Sequence, residues 1–254
     1  MELVVLGSGT AAPTAERTAP AHWVEAGPVK LLLDCGAGVL HRAAAFGVPW
    51  AAATHLAITH FHPDHWGELA AYLFALRWGI EPARSAPLML LGPPGLLLRL
   101  ERLAGAFGGW VLEPEFPLEV VEIAAGATRE LSPGITLETC DTPHTSESIA
   151  YAVRTGEARL VYTGDTGPSE ALARWAAGCD LLLAECSLPD ERAIGVHLTP
   201  TQAGALAHAA RARRLVLTHF YPVFGATDPV RAAAREFHGE IVAARDGDRF
   251  VIGT

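Results

Sequence analysis

Short apolar runs broken by glycine and proline dominate the start of the chain. Glu2 to Leu6 reads as a buried strand, and the loop Gly7-Ser8-Gly9-Thr10-Ala11-Ala12-Pro13 follows it. His22 to Ala26 and Val29 to Leu33 read as two further strands, joined as a hairpin at Gly27-Pro28. Val39 to Phe46 predicts a short helix, and the run His55-Leu56-Ala57-Ile58 another strand. Beyond His65 the period changes: Leu69, Tyr72, Leu73 and Leu76 share one helical face within Glu68 to Trp78. Leu88 to Leu91 is a strand, Gly92-Pro93-Pro94-Gly95 a turn, and Leu96 to Phe107 a second amphipathic helix. Leu118 to Ile123 and Ile135 to Cys140 return to β character, and Pro200 to Arg214 reads as helical.

The second half repeats one pattern, an apolar strand with a polar residue at its end. Ile135 to Cys140 leads to His144, Leu160-Val161-Tyr162 to Gly164-Asp165-Thr166, Leu181 to Ala184 to Glu185, and Leu215-Val216-Leu217 to His219. Functional side chains of α/β proteins gather in such strand-end loops. Neither a low-complexity linker nor a charge run divides residues 1–254, which read as one domain of two similar halves.

Composition narrows the class. Half the residues are apolar and 19% are charged, an ordinary globular balance. No apolar run approaches the ~18–20 residues that span a bilayer, so no membrane partner is expected. The opening Met-Glu-Leu-Val-Val-Leu-Gly lacks the order of a signal peptide. Cys35, Cys140, Cys179 and Cys186 form no CxxC pair and read as reduced thiols of a cytoplasmic protein. A formal charge of −9 argues against a broad nucleic-acid surface. Gly7, Gly9 and Ala12 formally fit a dinucleotide fingerprint, but Pro13 and Pro20 deny it the helix it needs.

The densest chemistry lies at Thr59-His60-Phe61-His62-Pro63-Asp64-His65, where a strand gives way to a helix. His60 and His62 are two apart in extended chain, so both imidazoles project to one side and can share a metal. Pro63 keeps His62 extended and suits the first helical turn. Asp64 and His65 leave the chain at another angle, towards a second metal. Further on, Thr199-Pro200-Thr201-Gln202 is a capping-box pattern that places His197 just before a helix.

His-x-His-x-Asp-His resembles the signature of the metallo-β-lactamase superfamily. Gly164-Asp165-Thr166 and the Glu185/His197 pair resemble its ribonuclease Z-like branch, as does the loop through Thr14, Glu16 and Arg17. The resemblance implies an α/β (α+β) fold, a four-layer αββα sandwich. It implies His60, His62 and His144 on one metal, Asp64, His65 and His219 on the other, and Asp165 bridging. Asp34 would orient a ligand histidine from beneath. His197 would protonate or steady the leaving oxygen, with Glu185 orienting it, and Asp64 would handle the proton of the attacking water. The implied cofactors are two divalent ions; this nitrogen-rich set suits Zn2+ and would accept Mn2+ or Fe2+. Members with a redox di-iron centre carry a carboxylate where this chain has His62, so hydrolysis is expected.

Two divalent cations against two carboxylates leave the centre cationic, which favours a small anionic substrate. True tRNA-processing members carry a protruding arm between the third histidine and the bridging aspartate. Here 20 residues, 145 to 164, separate His144 from Asp165, enough for a β-hairpin. The primary expectation is a phosphodiesterase for a small phosphodiester or cyclic nucleotide, with nucleic acid not expected as a partner. The alternatives are hydrolysis of carboxylic esters, lactones, thioesters or sulfate esters, and tRNA 3′-end cleavage. Relatives are commonly dimers, so the resemblance also implies a homodimer. Trp23, Trp66, Phe220, Tyr221 and Phe224 are candidates to line the pocket, while His22, His41, His55, His208 and His238 are read as structural.

Overall fold

In the computed structural model, which describes residues 1–225 and 227–253, the opening apolar run is β1 (Glu2–Gly7). It pairs antiparallel with β2 (Ala21–Ala26), which turns into β3 (Val29–Leu33) through Gly27 at φ +53°, a conformation glycine adopts without cost from a Cβ. Next in parallel come β4 (His55–Ala57), β5 (Leu88–Gly92) and β6 (Leu118–Glu122). The late strand Arg249–Val251 returns to the free side of β1. A second sheet holds β7 (Thr128–Ser132), β8 (Ile135–Asp141), β9 (Ile149–Arg154) and β10 (Arg159–Tyr162), each antiparallel to the last. It continues in parallel through β11 (Leu181–Glu185), β12 (Arg214–Thr218) and β13 (Glu240–Ala243), which leaves Arg249–Val251 as β14. Among the described residues these make two seven-stranded sheets.

Strand alternation decides which side chains meet which layer. Leu3, Val5, Leu31 and Leu33 face the second sheet, where Leu137, Tyr151, Val153, Leu160 and Leu183 meet them. Their neighbours Val4, Leu6 and Leu32 point outward, under α1 (Val39–Ala45), α3 (Leu69–Trp78) and α4 (Leu96–Phe107). On the far side Leu182, Ala184, Leu215 and Leu217 pack under α5 (Glu170–Trp175), α6 (Pro200–Ala209) and α7 (Pro229–Ala233). The order is helices, sheet, sheet, helices, the four-layer sandwich the resemblance implied. The one-turn α2 (Pro63–Trp66) stands at the strand ends.

Two local readings need correction. The helix from Pro200 stops at Ala209, not Arg214, because Arg211 turns to φ +50° and Arg214 already pairs with β13. Trp23 is buried under the outer helices of the first sheet rather than lining a pocket, whereas Phe220, Tyr221 and Phe224 line a cavity beside Arg17.

His22 on β2 is fully buried, its ring edge-on to Tyr162 at 4.7 Å, with neither ring nitrogen hydrogen-bonded among the described residues. Burial, with His65 and His219 adding to it, lowers its pKa from 6.5 to about 3. The unfolded chain therefore takes up this proton first. The stability concerned is fully present above pH 6.5 and is lost as pH falls towards 3, at up to about 1.4 kcal/mol per unit. Metal-free wild type should thus lose more thermal stability between about pH 7.5 and pH 5 than His22→Phe. Equal losses in the two proteins would contradict this account.

Candidate metal centre

β3, β4, β10, β11 and β12 all end at one edge of the sandwich, and the candidate residues sit just beyond those ends. Past β4, the backbone stays extended through His62 (φ −68°, ψ 143°) before Pro63 opens α2. His62 Nδ1 lies 3.0 Å from His60 Nε2 and 3.0 Å from His144 Nε2. Asp64, His65 and His219 form a second group, and in each group the ligand atoms lie within 4.8 Å of one another. Asp165 stands between the groups. Its Oδ2 is 3.5 Å from His144 Nε2 and 3.8 Å from His60 Nε2, while its Oδ1 is 3.2 Å from His65 Nε2 and 3.3 Å from His219 Nε2. The structure thus brings together all seven side chains that the resemblance nominated.

Hydrogen bonds behind the rings fix which nitrogens face inward. His65 Nδ1 donates to Asp34 Oδ2 at 2.7 Å and His144 Nδ1 to the Val196 carbonyl at 2.9 Å. His60 Nδ1 meets Thr59 Oγ1 at 3.1 Å, and that hydroxyl gives its own proton to Asp34. His219 Nδ1 meets Ser187 Oγ at 2.8 Å. In neutral rings so held, every inward Nε2 is a lone pair, and those of His65 and His219 face each other at 3.3 Å. The buried Asp165 Oδ1 has no hydrogen-bond partner among the described residues. Converging lone pairs and an orphaned carboxylate oxygen call for cations between them. Five imidazoles with two carboxylates fit two divalent ions.

Without metal, protons substitute for it. Burial disfavours the His65 imidazolium, but Asp165 and Asp34 outweigh burial and hold its pKa well above the ordinary value. Burial likewise pushes Asp165 up, yet His219 and His65 win and hold it well below the usual carboxylate range. Protons and metals would therefore compete for the same lone pairs, so metal affinity would fall as pH falls.

His197 precedes α6, whose start carries the expected capping box: Thr199 Oγ1 accepts from Gln202 N at 3.4 Å, and Thr199 N donates to Gln202 Oε1 at 3.0 Å. Its Nδ1 lies 2.9 Å from Glu185 Oε1 and 4.0 Å from Asp165 Oδ2. Glu185 is buried and also accepts from the backbone of Thr166 at 2.7 Å and Leu198 at 3.2 Å. Burial lowers the His197 pKa, but the bond to Glu185 outweighs it and the net shift is upward. The ring of Tyr221 stands 6.3 Å from that of His197 and 6.0 Å from that of His219.

Sequence reading missed the hydroxyls that support these rings. Tyr162, read there only as a strand residue, donates across from the second sheet to Asp34 Oδ2 at 2.8 Å. Its polar tip at the end of an apolar run was the one available mark. Asp34→Ala should weaken metal binding about 10–100-fold, and Tyr162→Phe less, since His65 keeps its carboxylate partner. Chelator competition measures both, and undiminished affinity in Asp34→Ala would contradict the arrangement.

Comparison with known proteins agrees with this geometry. A family model described as a beta-lactamase superfamily domain matches residues 30–220. A protein named ribonuclease Z from Mycobacterium bovis is 33% identical, covering 97% of this chain and 96% of its own. One of the same name from Mycobacterium tuberculosis is 32% identical with the same coverage. Among solved structures, the metallo-beta-lactamase fold protein YhfI from Bacillus subtilis matches with TM-score 0.83 and 24% identity over 98% of both chains. Human tRNase Z, short form, matches with TM-score 0.82 and 22% identity over the whole of both. At those identities the structures speak for the fold; the family model and the mycobacterial relatives carry the kinship. The chain belongs to the beta-lactamase superfamily, as a hydrolase of the metallo-β-lactamase fold.

Proposed function

We propose that this hydrolase is a dinuclear phosphodiesterase acting on a small phosphodiester, such as a cyclic nucleotide. The observation that carries the reading is the segment between His144 and Asp165. It is taken up by β9, β10 and the turn around Thr155 to Ala158, with nothing left to project as an arm. His60, His62 and His144 would hold one metal, Asp64, His65 and His219 the other, and Asp165 both. Zinc is the ion such imidazole-rich sites suit best, with manganese and iron as the alternatives. When bound, the pair supplies a Lewis-acid centre that lowers the pKa of water and stabilises charge on the attacking and leaving oxygens. Asp64 takes the proton of the attacking water. His197, held by Glu185 beside the same cluster and kept protonated by it, gives its proton to the leaving oxygen.

A second reading has one specific support: the mycobacterial relatives are named ribonuclease Z, and human tRNase Z shares the fold. It assigns tRNA 3′-end cleavage, and it weighs against the expectation that nucleic acid is no partner of this chain.

An alkoxide leaving group needs a proton, whereas nitrophenolate does not. His197→Ala should therefore lower kcat on a cyclic nucleotide about 10²–10⁴-fold, and much less on bis(p-nitrophenyl) phosphate. Metal content by elemental analysis should stay unchanged. Equal losses on the two substrates would refute the role given to His197. Precursor tRNA at physiological salt should neither shift in a gel nor be cut; a clean 3′-end cut would establish the second reading instead.

A further inference from the structure

Ser187 lies two residues beyond the end of β11, fully buried among Glu185, His197 and His219. A serine hydroxyl has one proton to give and two lone pairs to offer. The Glu185 carboxylate only accepts, so the proton goes to its Oε2 in a short bond. The lone pairs are left facing His219 Nδ1 at 2.8 Å and His197 Nδ1 at 3.2 Å. For His197 this is a secondary contact, because the same nitrogen lies 2.9 Å from Glu185 Oε1. For His219 the serine is the acceptor that fixes the tautomer. It turns Nε2 towards Asp165 Oδ1 at 3.3 Å and Asp64 Oδ2 at 3.6 Å. His219 also holds φ +64°, a conformation that a residue with a Cβ keeps only when its surroundings hold it there.

We infer that Ser187 is a positioning residue that joins the two working parts of the site. One hydroxyl aims His219 at the metals and at the same time steadies the carboxylate that orients His197. The inference rests on the roles proposed above for His219 and His197. Its direct consequence is that one substitution, touching neither metal nor substrate, disturbs both metal retention and leaving-group protonation. Ser187→Ala leaves the His219 Nδ1–H without its acceptor and takes one donor from Glu185.

The test is a chelator-competition titration of Zn2+ and the visible absorption of the Co2+-loaded protein, neither of which needs turnover. It therefore decides the inference even if the proposed substrate is wrong. Ser187→Ala should bind the weaker of two ions about 10–100-fold less tightly, with a changed Co2+ spectrum. Should that variant fail to fold, Ser187→Cys carries the same expectation, since a thiol is a poor donor and acceptor at nearly the same size. Wild-type affinity and spectrum in either folded variant overturn the inference. At saturating metal, the fold-loss of kcat in the Ser187→Ala/His197→Ala pair should be well short of the product of the two single losses. Strictly multiplicative losses would overturn the coupling.

Discussion

A carboxylate sealed from water must find donors for its lone pairs, and Asp34 finds them in both sheets. Thr59 donates from its backbone at 2.7 Å and from its hydroxyl, His65 from its ring, and Tyr162 from the opposite sheet. A buried anion missing one of these would be strongly destabilising. The requirement fixes the spacing of β3, β4 and β10 at their shared edge, and with it the height of His60 and His65 above the core. Asp34 itself sits at φ +60°, a strained turn at the end of β3 that the same bonds hold in place. The arrangement of the candidate metal centre depends on this anchor.

Much of this was legible in the sequence, for identifiable reasons. α4 matches the predicted Leu96 to Phe107 at both ends because a proline- and glycine-rich turn precedes it and glycine follows it. The start of α6 matches because a capping box is written in side chains. Its end was not legible: alanine and arginine continue past Ala209 with no stop signal, and the turn at Arg211 and the pairing of β12 end the helix. β7, β13 and β14 are short, partly exposed edge strands, held by their neighbours rather than by any pattern of their own.

The site shows the same division. Histidines and aspartates at strand ends are scarce enough for their order to carry meaning. The hydroxyls of Thr59, Tyr162 and Ser187 are common residue types whose partners depend on how two sheets pack. Trp23 shows the converse error, since closeness along the chain to a motif said nothing about which face of β2 it occupies.

β14 belongs to the sheet built by the first half of the chain, and its partner β1 precedes it by all the other strands of both sheets. During synthesis that side of β1 therefore remains an open edge until β14, which follows all the other strands of both sheets, has been made. An unpaired apolar edge can recruit a neighbouring nascent chain. Retention of Arg249 and Val251, exposed on that late strand, keeps the seam polar at one position and leaves it vulnerable at the other. The yield of soluble protein, more than the stability of the finished fold, is where changes to that strand should be felt.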